Sequence, residues 1–227
     1  MIEVILWDVD GTLLDFDAAE RAAIRSLTAE FGFTGCTDAA IRRYAEINRA
    51  LWKRLERGEC TREQVLVGRF QTFFAEMGWD ESQAADFNRA YQLRLGDTIV
   101  YRDDSLSVIK ALRGRVRQYV VSNGTIAAQT KKLSRSGLGM LMDGVFLSER
   151  LGVEKPDPAF FEQVFSAIGP VDKARVLLVG DSLSSDIQGG CNAGVKTAWY
   201  NPERLPVPAS PRVDCDLKDL HDVFDIL

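Results

Sequence analysis

Two carboxylates two residues apart, Asp8 and Asp10, stand beside Gly11-Thr12 directly after the apolar run Val4-Ile5-Leu6-Trp7. Such a run, bounded by glycine, reads as a buried parallel strand ending in a turn. Side chains two apart on a strand share a face, so the pair crowds two negative charges where the strand stops. That crowding is unfavourable unless a cation or a shared proton relieves it. Mg²⁺, a hard ion that takes oxygen ligands, is the relief expected. A plain polar turn, where Asp and Gly are common, is the alternative.

Three later segments repeat the pattern of an apolar run that ends in chemistry. Tyr119-Val120-Val121 leads into Ser122-Asn123-Gly124, and Val176-Leu177-Leu178-Val179 leads into Gly180-Asp181-Ser182, with Asp186 close behind. Between them lies Glu154-Lys155-Pro156-Asp157-Pro158, whose two prolines stiffen the segment that presents Lys155. Without that stiffening a solvated lysine would be the ordinary reading. Asp186 also suits a helix N-cap, a role compatible with metal binding. Open α/β sheets bind ligands outside the carboxyl ends of their strands. The acids, the hydroxyl and the lysine therefore converge on one crevice.

The elements that must position these groups are legible from periodicity. Residues 18–95 are helical in pattern: Ala22, Ala23, Leu27 and Phe31 recur at helical spacing, as do Ile41, Tyr44, Ala45, Asn48, Trp52 and Leu55. Thr61 through Gln64 predicts a capped helix start, continued by Phe70, Phe73, Phe74 and Met77, and Asp80 predicts the cap of a fourth helix. From Ser105 onward helix and strand alternate. Strands are predicted near 116–121, 144–148, 174–179 and 195–199, and helices over 127–136, from Asp157-Pro158, and over 217–227. The fold class is α/β: a Rossmann-like parallel sheet core formed by residues 1–15 and 97–227, with an all-α insertion at 16–96.

Asp8 to Thr12, Ser122, Lys155, and Asp181 with Asp186 match in order the four motifs of the haloacid dehalogenase superfamily, and the chain resembles its phosphatases over essentially its whole length. Asn48-Arg49-Ala50-Leu51-Trp52, Gly68-Arg69-Phe70, Gly189-Gly190 and Asn192-Ala193-Gly194 look like the pyrimidine 5′-nucleotidases of the YjjG/YfnB type. The resemblance implies that the insertion is a helical cap. It implies Asp8 as nucleophile, giving an aspartyl-phosphate, and Asp10 as the acid that protonates the leaving oxygen and then activates water. Ser122 would donate to a phosphate oxygen, and Lys155 would balance charge. Backbone N–H groups at Gly11, Thr12 and Asn123 would join the phosphate cradle, Thr12 shaping the turn more than doing chemistry. Mg²⁺ would be held by Asp8, the Asp10 carbonyl, Asp181 and Asp186, the last directly or through water. Phe16, Asn48, Trp52 and Arg69 would contact the leaving group, although Phe16 and Trp52 equally suit the core of the cap. The substrate class implied is a nucleoside monophosphate (dUMP, UMP or dTMP).

Composition sets the alternatives. A net charge of −5 offers no basic surface for nucleic acid polymers or anionic membranes, and no run approaches the roughly 20 apolar residues of a spanning helix. The start of the chain lacks the basic region of a signal peptide, so a cytoplasmic protein is expected. Four scattered cysteines and a single histidine, His221, disfavour a zinc centre or a histidine-based triad. Asp10 sets aside the dehalogenases and phosphonatases, which lack that second acid. A phosphatase or phosphomutase for phosphoglycolate or a sugar phosphate remains open. A phospho-acceptor signalling module, the reading from another class, is disfavoured by the long helical insertion. A monomer or weak homodimer is expected.

Overall fold

The apolar runs become strands and the striped segments become helices. A computed structural model describes all residues, 1–227. Its elements run β1 (Val4–Trp7), α1 (Phe16–Glu30), α2 (Asp38–Glu56), α3 (Arg62–Leu66), α4 (Gly68–Met77), α5 (Ala84–Arg94), α6 (Ser105–Leu112), β2 (Arg117–Ser122), α7 (Ile126–Ser136), β3 (Gly144–Leu147), α8 (Ser148–Leu151), α9 (Pro158–Ile168), β4 (Val176–Gly180), α10 (Gln188–Ala193), β5 (Lys196–Tyr200) and β6 (Cys215–Leu217). The chain divides into two units, one of Met1–Asp15 with Ile99–Leu227, the other Phe16–Thr98.

The first unit is built on a six-stranded parallel sheet in the order β3-β2-β1-β4-β5-β6. β1 is buried at every position, which is why its sequence is apolar throughout instead of alternating. The period of two still sorts its side chains. Ile5 and Trp7 pack with Val120, Leu177 and Val179 on one face of the sheet, whereas Val4 and Leu6 pack with Tyr119, Val121, Leu178 and the α9 residues Phe160, Phe161 and Val164 on the other. From β1 the chain moves outward to β2 and β3, then returns to place β4 on the opposite side of β1. The reversal makes a switch point at the carboxyl ends of β1 and β4, where the loops diverge and leave a crevice.

The second unit is helical. Thr61 and Gln64 form the expected capping box, with Gln64 N donating to Thr61 Oγ1 at 3.2 Å and Thr61 N to Gln64 Oε1 at 2.8 Å. Its core is aromatic: Phe33 stacks on Trp79 with centroids 4.6 Å apart, and Phe70, Phe74 and Phe87 pack edge-on or tilted around them.

Three elements differ from their sequence expectation. The stripe from Thr61 to Met77 is two helices, because α3 ends at Leu66, with Val67 as its cap, and α4 restarts at Gly68. Asp80 caps a 3-10 turn, Glu81–Gln83, that feeds α5, instead of capping α5 itself. The expected terminal helix is the short strand β6 followed by a 3-10 turn, Leu220–Asp225, capped by Asp219. β6 has only three residues, too few to show a period. No helix is long and apolar enough to cross a membrane.

Candidate active site

Where β1 stops, Asp8 N still donates to Val179 O at 2.9 Å, and the chain then folds back through Leu13 N to Val9 O (3.0 Å) and Leu14 N to Val9 O (2.9 Å). Gly11 sits in this turn at φ 97°, a conformation that favours glycine. A Cβ there would also lie 2.6 Å from the Asp181 carboxylate. The Gly11 N–H donates to Leu14 O at 2.8 Å, so the expectation that this amide meets phosphate is corrected: the turn itself occupies it. Thr12 is fully buried and ties the loop after β1 to the loop after β4. Its Oγ1 donates to Asp181 Oδ1 and accepts from Asp181 N, both at 3.0 Å. Trp199 Nε1, on β5, donates to Asp181 O at 2.9 Å and fixes the same residue from the other side.

Asp186 lies on a π-helical turn, Leu183–Ile187, whose cap is Ser182. It is therefore not the N-cap that the sequence allowed. Its Oδ2 accepts from Ser182 N at 3.1 Å, and it fits against the strand end only because residue 180 is glycine. A Cβ at Gly180 would fall 2.2 Å from Asp186 Cγ.

Ser122 ends β2 and is buried, its Oγ accepting from Gly124 N at 3.0 Å. Asn123 exchanges two hydrogen bonds with the backbone of Lys155, Nδ2 to O at 2.9 Å and N to Oδ1 at 2.8 Å. The lysine segment is thus docked on the loop after β2. The Lys155 side chain, 1% exposed, donates to Asp8 Oδ1 (2.9 Å), Asp186 Oδ1 (2.6 Å) and Val121 O (2.8 Å).

Asp8, Asp181 and Asp186 bring carboxylate oxygens within 4.8 Å of one another. Burial pushes the Asp8 carboxyl well above its ordinary range; Lys155 opposes this, while Asp186 and Asp181 add to it. Burial, reinforced by Asp186, pushes Asp181 up to about 7 against the Thr12 hydrogen bond. Burial works against the Lys155 charge, but Asp186 and Asp8 more than offset it and hold its pKa above the usual value. Three clustered carboxyl groups face one ammonium, and two of them are driven by burial toward keeping their protons; a hard divalent cation would favour their ionised form, and the donor set suits one.

Asp10 is not one of the clustered acids. β1 ends at Trp7, so the strand period no longer governs residues 8 and 10. The Asp10 carboxylate is taken by α7 instead, with Lys132 Nζ on Oδ1 at 2.5 Å and Gln129 Nε2 on Oδ2 at 2.6 Å. Neither α7 residue was singled out from the sequence. The available signal was a glutamine and a lysine on the same buried helix face as Ala128 and Leu133.

In the helical unit, Arg69 is 2% exposed. Its guanidinium donates to Asn48 Oδ1 (2.8 Å), Asn88 Oδ1 (2.9 Å) and Leu66 O (3.3 Å), with its centre 4.9 Å from the ring centroids of Phe70 and Tyr91. Asn48 and Tyr91 donate to Glu20 Oε2 at 2.7 and 3.2 Å. Asn48 and Arg69 thus share one buried network. Trp52 lies apart from it, half-buried, with the Arg62 guanidinium 5.8 Å from its ring centroid. Phe16 is the half-buried first residue of α1.

Residues 2–194 match the family described as haloacid dehalogenase-like hydrolase. The chain is 36% identical over 225 residues to the pyrimidine 5′-nucleotidase PynA of Streptococcus pneumoniae (strain ATCC BAA-255 / R6), a match covering 98% of this chain and 94% of that protein. It is 29% identical over 223 residues to the pyrimidine 5′-nucleotidase YjjG of Escherichia coli (strain K12), covering 98% and 96%. Among solved structures it is similar to the HAD-hydrolase YfnB from Bacillus subtilis bound to magnesium, with a TM-score of 0.92 at 32% identity, covering 100% of this chain and 98% of that one.

Proposed function

The chain belongs to the haloacid dehalogenase-like hydrolases, and we propose that it is a Mg²⁺-dependent phosphomonoesterase that works through a phosphorylated Asp8 and serves as a 5′-nucleotidase for dUMP, UMP and dTMP. The reading is carried by the arrangement around Lys155, a buried ammonium shared by Asp8 and Asp186 in a cluster that holds more carboxyl groups than the one ammonium can pair. The substrate class is supported by PynA and YjjG, both named pyrimidine 5′-nucleotidases.

Asp8, Asp181 and Asp186, with the Asp10 backbone carbonyl, would hold the metal ion, Asp186 directly or through water. Bound there, Mg²⁺ would neutralise charge on the phosphate oxygens. The protein groups do the rest. The Asp8 carboxylate attacks phosphorus in line, forming one P–O bond as the bond to the leaving oxygen breaks. Asp10 passes a proton to that oxygen. It then takes a proton from the water that attacks the aspartyl-phosphate, which releases phosphate and restores Asp8. The Ser122 hydroxyl hydrogen remains free to meet a phosphate oxygen because its Oγ accepts from Gly124 N. The Thr12 and Asn123 amides would complete the cradle, and Lys155 balances charge as the Asp8 oxygen becomes bonded to phosphorus. In this reading residues 1–15 and 97–227 are the catalytic core. Residues 16–96 are a cap that supplies selectivity through half-buried side chains such as Phe16 and Trp52, while the buried Asn48 and Arg69 brace the helices that carry them.

Chelation and trapping test the reading together. Turnover of dUMP should vanish with EDTA and return with Mg²⁺, Ca²⁺ substituting poorly because its coordination is larger and looser. Rapid acid quench with ³²P-labelled substrate should leave label on Asp8. Full activity after exhaustive chelation, or label elsewhere, would overturn it.

A further inference from the structure

The Asp10 carboxylate is gripped at both oxygens from one helical turn, and nothing in the proposed reaction explains the grip. Gln129 and Lys132 stand three apart on α7 and so reach the same target from the same face. They are 0% and 2% exposed. A lysine is almost never buried to that degree unless it is paired. Gln129 is the more telling of the two. Its Oε1 is buried without a hydrogen-bond partner, a defect that calls for an explanation. Turning the amide over would set that oxygen against the Asp10 carboxylate, so the unpaired oxygen is the consequence of aiming Nε2 at Asp10.

The loop after β2 is also shaped for this contact. A Cβ at Gly124 would fall 2.3 Å from Gln129 Nε2 and 2.9 Å from its Cγ. Glycine at 124 therefore lets the glutamine pass beneath the loop that carries Ser122 and Asn123. Meanwhile the clustered acids are Asp8, Asp181 and Asp186, without the Asp10 carboxylate. A carboxylate only two residues from Asp8 has been drawn off to α7.

We infer that Gln129 and Lys132 are positioning residues that keep the Asp10 carboxylate out of the acid cluster and hold it oriented for proton transfer to the leaving oxygen. The inference rests on the phosphatase reading above and adds to it two residues and the glycine that admits them. The grip matters most when the leaving group is a poor one. A sugar 5′-oxygen needs a proton delivered in the right geometry, whereas p-nitrophenolate departs without one.

The test compares first-turnover release of deoxyuridine from dUMP with release of p-nitrophenol from p-nitrophenyl phosphate, both by rapid quench with saturating Mg²⁺. Lys132→Met should slow deoxyuridine release by about 10- to 100-fold more than p-nitrophenol release, within the range assigned to general acid catalysis. Gly124→Ala, which displaces Gln129 but leaves Lys132 in place, should show the same asymmetry at smaller size. Lys132→Arg should recover most of the loss. In an Asp10→Asn background, adding Lys132→Met should change neither rate by more than about twofold, because a residue that acts through Asp10 is silent without it. Mg²⁺ affinity by calorimetry should stay within about threefold of the parent, since no proposed metal ligand is touched. Equal losses on the two substrates, a further loss in the Asp10→Asn background, or collapse of Mg²⁺ binding would make the role structural and overturn the inference. If Lys132→Met does not fold, as judged by near-ultraviolet circular dichroism, Gly124→Ala decides by the same asymmetry. A parent that releases neither product overturns the phosphatase reading and this inference with it, whereas an active parent with symmetric losses overturns only the inference.

Discussion

Asp8 and Asp10 stand two residues apart, yet the fold gives them opposite surroundings. Asp8 is buried beside Lys155 and the other clustered acids, while Asp10 is held by α7. The proposed roles divide the same way and can be separated. Asp8→Asn should abolish turnover and phosphate incorporation together, because no nucleophile remains. Asp10→Asn should still accept phosphate from p-nitrophenyl phosphate but release it slowly, since both proton transfers lose their carrier. Labelled phosphate retained on Asp8→Asn would refute the assignment. The glycine at 180 gives a second expectation. Gly180→Ala drives a methyl group into Asp186, so it should lower thermal stability by about 1–3 kcal/mol, a usual cost of overpacking, and cut turnover in parallel; unchanged melting would show that the strand end yields easily. Asp8, Ser122, Lys155 and Asp181 were legible in the sequence because each is a polar residue that ends an apolar run or sits in a stiffened loop. Gln129 and Lys132 were not, because their target lies 119 and 122 residues away and periodicity carries no information about such pairs.

Among the elements, α1, α2, α4 and α5 share one buried polar network through Glu20, Asn48, Arg69, Asn88 and Tyr91. Burial pushes Glu20 up to about 7, with Arg69 opposing the shift. The sign for stability follows directly. The unfolded chain ionises this carboxyl near the usual 4.5, whereas the folded chain keeps its proton to about 7. Stability should therefore fall as pH rises from about 4.5 to about 7 and level off above, by at most on the order of 3 kcal/mol from this group. Glu20→Gln keeps an oxygen for Asn48 and Tyr91 but cannot ionise, so its urea midpoint should lose that part of the pH dependence. An identical pH profile in parent and variant would exclude Glu20 as its source. The helices themselves were legible from their apolar stripes, and two of their starts from Thr61 and Asp157, whose side chains accept the expected capping hydrogen bonds. The network was not: Asn48 and Arg69 read as contacts to the leaving group, and the pairing of side chains on separate helices leaves no trace in periodicity. β6 was missed for lack of length, and the break at Val67–Gly68 because the apolar phase continues across it.

For the molecule as a whole, the alternation of strand and helix was readable from residue 1 to 201 or so, because strands buried on both sheet faces are apolar throughout, whereas the strand order came only with the fold. Substrate choice is a different kind of property. Groups that meet only phosphate cannot tell one monoester from another, so selectivity must come from side chains that bind the remainder of the substrate and use that binding in the transition state. The proposed nucleotidase should therefore prefer dUMP, UMP and dTMP to purine monophosphates, phosphoglycolate and hexose phosphates. Two residues of the helical unit separate recognition from architecture. Arg69 is enclosed by Asn48, Asn88 and two aromatic rings. Arg69→Ala would leave the buried Asn48 Oδ1 without its donor and Asn88 Oδ1 with Gln92 alone, and should destabilise the chain by about 2–5 kcal/mol, lowering turnover of every substrate alike once the protein is part-unfolded. Trp52 is only half-buried, and its indole is free of that network. Trp52→Ala should leave melting nearly unchanged while reducing kcat/KM for dUMP by about 5- to 150-fold, the worth of one base-stacking contact of roughly 1–3 kcal/mol, with p-nitrophenyl phosphate affected far less. Equal losses on both substrates would place Trp52 with Arg69 as support for the helices. A screen won by phosphoglycolate or a hexose phosphate would refute the nucleotidase reading, and because Asp8, Lys155 and the clustered acids address only the phosphoryl group, it would leave the phosphatase chemistry standing.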